Sequence, residues 1–371
     1  MLLSAKGISV VRSIAARLSS HDGELSCLFC TLYHKVLVFA RPRGKKNIQR
    51  FRLVAGFFIS ISVINSSIIK ENIMSNTKKT IFTGAATAIV TPFRNGEVDY
   101  DAFGKFIDFQ INGGIDALVI AGTTGEGSTL SHEEHCKVME FAIEKANGRV
   151  PMIAGTGSND TAYGIELSKY ACQLGYDGLL VVTPYYNKAT PKGLVKNFLA
   201  TAEAVDKPII LYNVPSRTGC NMTPAVYREL AKHENIVATK EASGNLSLIA
   251  QIADECGDML DIYSGNDDQV VPILSLGGKG VISVFSNLLP MEMHNICQKW
   301  FDGDVKGSAE LQLKYLKLIN ALFYEVNPIP IKTACGILGL CSDEMRLPLC
   351  EMEDANKEKL ISVMTQYGLI K

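Results

Sequence analysis

Val237-Ala-Thr-Lys-Glu-Ala-Ser-Gly-Asn245 is the stretch from which the rest of the chain can be read. Its apolar lead-in, Ile236 to Ala238, reads as a buried strand. Lys240 follows at the end of that strand, where a side chain can leave the core and enter a cleft. Gly244 and Asn245 then break the strand ahead of a helical run, Leu246–Cys256. Burial disfavours an ammonium and lowers its pKa, which makes Lys240 a candidate nucleophilic amine able to condense with a carbonyl. The plain alternative is a lysine snorkelling out of a strand end, the commoner case for an isolated lysine. What decides between them is whether other strand ends bring matching chemistry.

The same strand-then-helix rhythm repeats on both sides. The strand candidates are Ala85–Thr91, Ala117–Gly122, Met152–Gly155, Gly178–Thr183, Ile209–Tyr212, Ile236–Lys240, Asp261–Ser264 and Gly280–Val284. They are near-continuous apolar runs, as parallel strands covered on both faces require. Helices separate them. Ser131-His-Glu-Glu134 forms a capping box that opens a helix to about Ala146. Tyr163–Leu174, Leu194–Ala204, Pro224–Lys232 and Leu246–Cys256 follow. Eight repeats in succession predict an α/β fold, a (β/α)8 TIM barrel over residues 74–290, with a C-terminal helical extension over 291–371. A doubly wound sheet is the alternative, but no G-x-G-x-x-G follows the first strand.

Composition is that of an ordinary globular protein: 371 residues, 47% hydrophobic and 20% charged, with a formal net charge of −1. Nothing in that balance points to nucleic acid or to a membrane surface for residues 74–371. The charge is uneven, however. Residues 1–73 hold 11 Lys and Arg against 3 Asp and Glu, which leaves 26 basic and 35 acidic residues for the remainder. The apolar run Leu53–Ile69 is short and polar for a span of ~20 residues. Residues 1–73 read as a targeting segment, a weak anchor, or an extension without structural role ahead of Met74; the last reading is favoured, as a non-homologous and disordered or non-native extension. The ten cysteines show no metal-ligand spacing beyond a solitary Cys27-x-x-Cys30. They are expected as reduced thiols of a cytoplasmic enzyme.

In a barrel, chemistry sits at the C-terminal ends of the strands. Here those ends carry Thr91-Pro-Phe93, Gly122-Thr-Thr-Gly-Glu126, Gly155-Thr-Gly157, Thr183-Pro-Tyr-Tyr-Asn187, Tyr212-Asn-Val-Pro-Ser-Arg217, Lys240, Ser264-Gly-Asn266 and Ser283-Val-Phe-Ser286. Hydroxyls, one lysine and one arginine converge, with no His/Asp/Glu cluster for a metal. That set suits Schiff-base chemistry on a small keto acid. Each element also has a plainer reading. The Gly-bracketed turn could be a simple βα loop, or a nest of N–H groups for a carboxylate. Tyr212 could be a core tyrosine. Arg217, loop-borne after a Pro-Ser turn, could be a surface arginine, or a fork for a carboxylate. His132 and His135 lie on a first helical turn and read as surface or interface residues.

Together, Gly122-Thr-Thr-Gly-Glu126, Val182-Thr-Pro-Tyr-Tyr-Asn187, Tyr212-Asn-Val-Pro-Ser-Arg-Thr-Gly219 and Lys240-Glu-Ala-Ser-Gly-Asn245 resemble the 4-hydroxy-tetrahydrodipicolinate (dihydrodipicolinate) synthase family of pyruvate-dependent class I aldolases. The resemblance covers Phe82 to about Leu369. It implies condensation of pyruvate with L-aspartate 4-semialdehyde in lysine and diaminopimelate biosynthesis. No cofactor is implied beyond the covalent Schiff base, and the assembly implied is a homotetramer of tight dimers. Carried over by motif, Lys240 forms the Schiff base and Tyr212 carries protons. Thr123 links Tyr212 to Tyr186, which reaches into the neighbouring subunit's site. Thr124 joins Thr123 in holding the pyruvate carboxylate by its backbone. Arg217 guides the semialdehyde carboxylate, and Gly265 and Ile282 line the pocket.

Family members that are inhibited by lysine bind it in a cleft at the tight-dimer interface. The matching positions are Gly127, Ser128, Leu130, His132, His135, Asn159, Tyr163 and Tyr185. Tyr163 departs from the inhibited type, which carries a glutamate there. Sibling aldolases, such as N-acetylneuraminate lyase, share the lysine and tyrosine, but Arg217 and the paired threonines argue for the synthase. A non-catalytic pyruvate-binding regulator, or a scaffold anchored through residues 53–69, is the competing class.

Overall fold

The computed structural model describes residues 78–371, so the expected extension over residues 1–73 lies outside the described part. The strands are β1 (Gly84–Ala88), β2 (Ala117–Ile120), β3 (Met152–Gly155), β4 (Gly178–Val182), β5 (Ile209–Asn213), β6 (Ile236–Glu241), β7 (Asp261–Ser264) and β8 (Gly280–Ser283). All pair in parallel in chain order, and β8 closes on β1. This is the expected eight-stranded barrel. Parallel neighbours need a crossover, and helices supply it. The helices are α1 (Tyr100–Asn112), α2 (His132–Ala146), α3 (Thr161–Leu174), α4 (Pro191–Glu203), α5 (Pro224–Leu230), α6 (Leu246–Cys256), α7 (Val270–Ser275) and α8 (Pro290–Phe301).

The strands read as continuous apolar runs because their two faces pack against different cores. Ala86, Ala88, Ala117, Val119, Ile153, Leu180, Ile210 and Tyr212 belong to one cluster, inside the barrel. Their neighbours Ala85, Leu118, Ile120, Ala154, Leu179, Ile209 and Leu211 join the larger cluster beneath the helices. Alternation therefore exists but is masked by burial on both sides. The Phe82 ring stacks on Tyr263 at 4.3 Å, and the Tyr263 hydroxyl donates to Phe82 O at 2.6 Å, filling the N-terminal end of the barrel.

Local signals in the sequence place several element ends. The Ser131 hydroxyl accepts from Glu134 N while the Glu134 carboxylate accepts from Ser131 N, completing the capping box of α2. Gly244 turns the chain at φ +72°, and the Asn245 side chain then accepts from Leu248 N at 3.1 Å to start α6. Asn95 and Gly96, at φ +55° and +83°, form a tight Asn-Gly turn between two-residue antiparallel strands, Phe93–Arg94 and Glu97–Val98.

Several boundaries shift from expectation, and two of the shifts bear on the barrel. The first strand stops at Ala88 rather than Thr91, because Ile89 to Thr91 already belong to the loop facing β2. Pro290–Phe301 packs back against β1, so it is the eighth helix of the ring and the barrel extends past residue 290. A closed barrel needs this cover over the β8–β1 seam. The C-terminal extension proper is α9 (Val305–Ala321), α10 (Ile329–Ile337) and α11 (Asp354–Gln366). Among the described residues no helix is long and apolar enough to cross a membrane. The eight described cysteines are free thiols.

Candidate active site

The register between β5 and β6 pairs Tyr212 with Lys240 and Asn213 with Glu241. Two adjacent strand ends therefore deliver the amine and the phenol side by side. Lys240 Nζ lies 4.4 Å from the centre of the Tyr212 ring. Both residues are buried, at 5% and 7% exposure, and so are shielded from bulk water. Burial pulls the Lys240 ammonium down to about 8, with the Asp267 carboxylate opposing the drop. Burial pushes the Tyr212 phenol up, while Arg217 and a hydrogen bond with the Thr123 hydroxyl pull the other way. At neutral pH the pair is thus a partly neutral amine beside a protonated phenol.

Neighbouring side chains fix this geometry. Glu241, next to the lysine, is fully buried, yet its carboxylate is fully engaged. Oε1 accepts from Asn213 Nδ2 at 2.6 Å and from the Tyr227 hydroxyl at 2.7 Å. Oε2 accepts from the Ser243 hydroxyl at 2.6 Å. Asp267, buried just beyond β7, accepts from Val284 N at 3.0 Å and Phe285 N at 2.9 Å. A side chain at Gly265 would place its Cβ 2.6 Å from Ala242 Cβ and 3.2 Å from Lys240 Cε, so glycine is what leaves the lysine room. Ile282 is fully buried inside the barrel.

The Gly122–Glu126 loop crosses the mouth beside them. Ala121 and Glu126 flank it at φ +53° and +52°, conformations that cost a non-glycine residue about 1–3 kcal/mol each. Thr91 Oγ1 donates to Gly125 O at 2.6 Å. Thr123 is exposed at the mouth, whereas Thr124 is buried and its hydroxyl accepts from Asn327 Nδ2 at 3.0 Å. Arg217 stands on a single helical turn, Pro215–Thr218, rather than on an irregular loop. Its guanidinium donates to Asn327 O at 2.9 Å. Asn327 thus touches both the threonine loop and the arginine.

The remaining sequence candidates fall into two groups. Tyr186 is 91% exposed at φ +70°, so within one chain it meets neither Thr123 nor Tyr212. His132 and Tyr163 face each other, ring centres 5.8 Å apart, with Glu166 Oε1 3.8 Å from His132 Nε2. Ser128 is exposed near the start of α2, and Asn159 and Tyr185 are half-buried. His135 differs from expectation: it points inward, 5% exposed, with Nε2 3.1 Å from Gly155 O. Burial lowers it to about 4, which keeps it neutral. Among the described residues no cluster of His, Cys, Asp or Glu is arranged to hold a metal.

Sequence reading missed Asn327, Lys332 and Arg346, all from the C-terminal extension. A signal existed for one of them: Lys332 is a lone charge in the otherwise apolar and small run Ile329-Pro-Ile-Lys-Thr-Ala-Cys335.

Comparison with known proteins gives the same picture. The family model described as the dihydrodipicolinate synthetase family matches residues 81–367. The 4-hydroxy-tetrahydrodipicolinate synthase of Lachnoclostridium phytofermentans is 56% identical over 292 residues, covering 78% of this chain and 99% of that protein. The crystal structure of dihydrodipicolinate synthase from Acinetobacter baumannii, chloride-inhibited and complexed with pyruvate, is 41% identical. It superposes with a TM-score of 0.77 over 78% of this chain and all of the other. The enzyme from Cyanidioschyzon merolae with lysine bound is 39% identical, with a TM-score of 0.76 over 79% of this chain and all of the other. Resting on both the barrel mouth and these likenesses, the conclusion is that the chain belongs to the dihydrodipicolinate synthetase family.

Proposed function

We propose that the protein condenses pyruvate, bound as a Schiff base on Lys240, with L-aspartate 4-semialdehyde to give 4-hydroxy-tetrahydrodipicolinate. The observation that carries this reading is the buried Lys240 amine, with a pKa near 8, set 4.4 Å from the Tyr212 ring. The neutral amine adds to the pyruvate C2 carbonyl, and loss of water leaves an iminium. That cation acidifies the C3 methyl. Tyr212 takes the proton as its own hydroxyl proton passes to the Thr123 hydroxyl at the exposed mouth, and the reverse relay delivers a proton to the aldehyde oxygen when the enamine attacks. The substrate's own amine then displaces Lys240 from C2 and closes the ring. Every step is a proton transfer or an addition–elimination at carbon, so the covalent Schiff base serves in place of a cofactor.

The backbone N–H groups of Thr123 and Thr124 hold the pyruvate carboxylate, in a pocket lined by Gly265 and Ile282. Arg217 takes the semialdehyde carboxylate with the part of its fork not spent on Asn327 O. Arg217→Lys keeps the charge and loses the fork. It should lower kcat/KM for the semialdehyde by about ten- to hundredfold, the scale of a charge-assisted contact. Adduct formation with pyruvate should change little. Equal loss in both assays would assign Arg217 to structure alone.

Tyr186 acts in the site of a second copy. Its exposure and left-handed backbone support this, since an aromatic ring held outward is poorly placed within its own chain. The assembly is a homotetramer built from two tight dimers. Neither Tyr186→Phe nor Lys240→Ala homodimers should turn over well, whereas a mixed dimer of the two should regain activity at its one complete site. Absence of that complementation, or a monomeric active enzyme by sedimentation, removes the cross-subunit role.

Lysine feedback acts through Ser128, His132, His135, Asn159, Tyr163 and Tyr185. Burial pushes the Tyr163 phenol up, so it offers a neutral partner where an inhibited enzyme has a carboxylate. Glu166 beside His132 supplies the nearest negative charge. L-Lysine should therefore inhibit weakly, and Tyr163→Glu should tighten inhibition about tenfold. Tight inhibition of the unmodified enzyme would transfer the ammonium partner to Glu166.

A further inference from the structure

Lys332 and Glu126 form an ion pair at 2.6 Å with side chains 0% and 1% exposed. A buried pair of this kind is poor evidence of stabilisation, because apolar side chains of similar volume often do as well or better. Its position suggests another role. Glu126 is the residue that closes the Gly122–Glu126 loop in left-handed backbone. Its Oε1 meets Lys332 and its Oε2 accepts from Arg346 N at 3.1 Å. Lys332 Nζ also donates to Thr91 O at 3.0 Å, and the Thr91 hydroxyl reaches Gly125 O. One ammonium from α10 thereby holds the C-terminal end of the loop at two adjacent residues, Glu126 directly and Gly125 through Thr91, immediately after Thr123 and Thr124. Phe93 packs under the charge, its ring centre 4.3 Å from Lys332 Nζ.

We propose that the Lys332–Glu126 pair is a positioning device for the carboxylate-binding loop, so that affinity for pyruvate is set from the C-terminal extension. Resting on the reading that this loop takes the pyruvate carboxylate, the pair orients the Thr123 and Thr124 N–H groups without touching substrate. An ion pair suits this task better than apolar packing. Its oxygens and ammonium act on named backbone groups in fixed directions, whereas apolar contacts would hold the loop without orienting it.

Removing one partner alone strands a buried charge, so the test uses two other variants. Glu126→Gln/Lys332→Met keeps shape and volume and removes both charges. Lys332→Arg keeps the charge. Borohydride trapping at graded pyruvate concentrations gives the half-saturation for adduct formation, and steady-state kinetics give KM for the semialdehyde. In the double variant the pyruvate half-saturation should rise by at least about tenfold, with the semialdehyde KM moving by less than about threefold and the thermal midpoint little changed. Lys332→Arg should recover most of the pyruvate affinity. A pyruvate half-saturation unchanged in a folded double variant overturns the proposal. So does a loss of both substrates in step with the thermal midpoint in both variants. Failure of the unmodified enzyme to trap pyruvate at all would instead overturn the functional reading on which the proposal rests.

Discussion

Lys240→Met should lose turnover by about four orders of magnitude or more, the scale seen when a covalent nucleophile is removed. No other lysine shares its place, since the amine must lie at the end of β6, beside the Tyr212 ring. The same substitution should leave a more stable protein. In the fold the amine titrates near 8 against an ordinary 10.5, so the charged form is the one penalised. The sign follows: the penalty is fully present below about pH 8, fades as pH rises and is gone above 10.5. At pH 7 methionine should therefore gain on the order of 3 kcal/mol relative to lysine, measured as a raised thermal midpoint. An inactive but stabilised variant would mark a site built for chemistry at the expense of stability. In the unmodified enzyme the rate of adduct formation at saturating pyruvate should rise through pH 8 and level off above it. A rise delayed to the ordinary lysine range would show that Lys240 is not perturbed by burial.

Tyr212→Phe is the second large effect. It removes the phenolic hydroxyl that lies beside the buried lysine and is linked to Thr123. Positioned acid–base groups contribute typically 10²–10⁴-fold, so kcat should fall by about that factor. Pyruvate binding should survive, because the carboxylate contacts proposed above belong to the threonine loop. The ring remains in place to pack inside the barrel, so the thermal midpoint should hold. The measurement is exchange of the pyruvate methyl protons with deuterated solvent alongside overall turnover. Both should fall together if the phenol moves the proton. Normal exchange with impaired turnover would confine Tyr212 to a later step.

Most of the barrel was legible in the sequence because parallel strands buried on both faces leave a strong local trace. Lys240 was legible for the same reason: a charge at the end of an apolar run is conspicuous. Strand ends were less so. Ile89 and Val90 are apolar and fully buried, yet they leave the sheet, and composition alone does not separate a buried loop from a strand. His135 looked exposed on a polar first turn of α2. Its inward aim depends on Gly155 O, twenty residues away. Asn327 and Arg346 left no trace in the sequence, and Lys332 showed only as a lone charge in an apolar run, with nothing to say what it meets. They reach the loop at Thr124 and Glu126 across more than two hundred residues, and no periodicity records such contacts. Tyr186 marks a different limit, since the partners proposed for it belong to a second copy of the chain.

The central claim is that Lys240 forms the bond to pyruvate. The measurement is reduction with borohydride in the presence of pyruvate alone, followed by mass analysis of the intact protein and its peptides. The account predicts one reduced pyruvyl adduct per chain, located on Lys240 and absent from Lys240→Met. An adduct on another lysine, or none on a folded enzyme saturated with pyruvate, would contradict it.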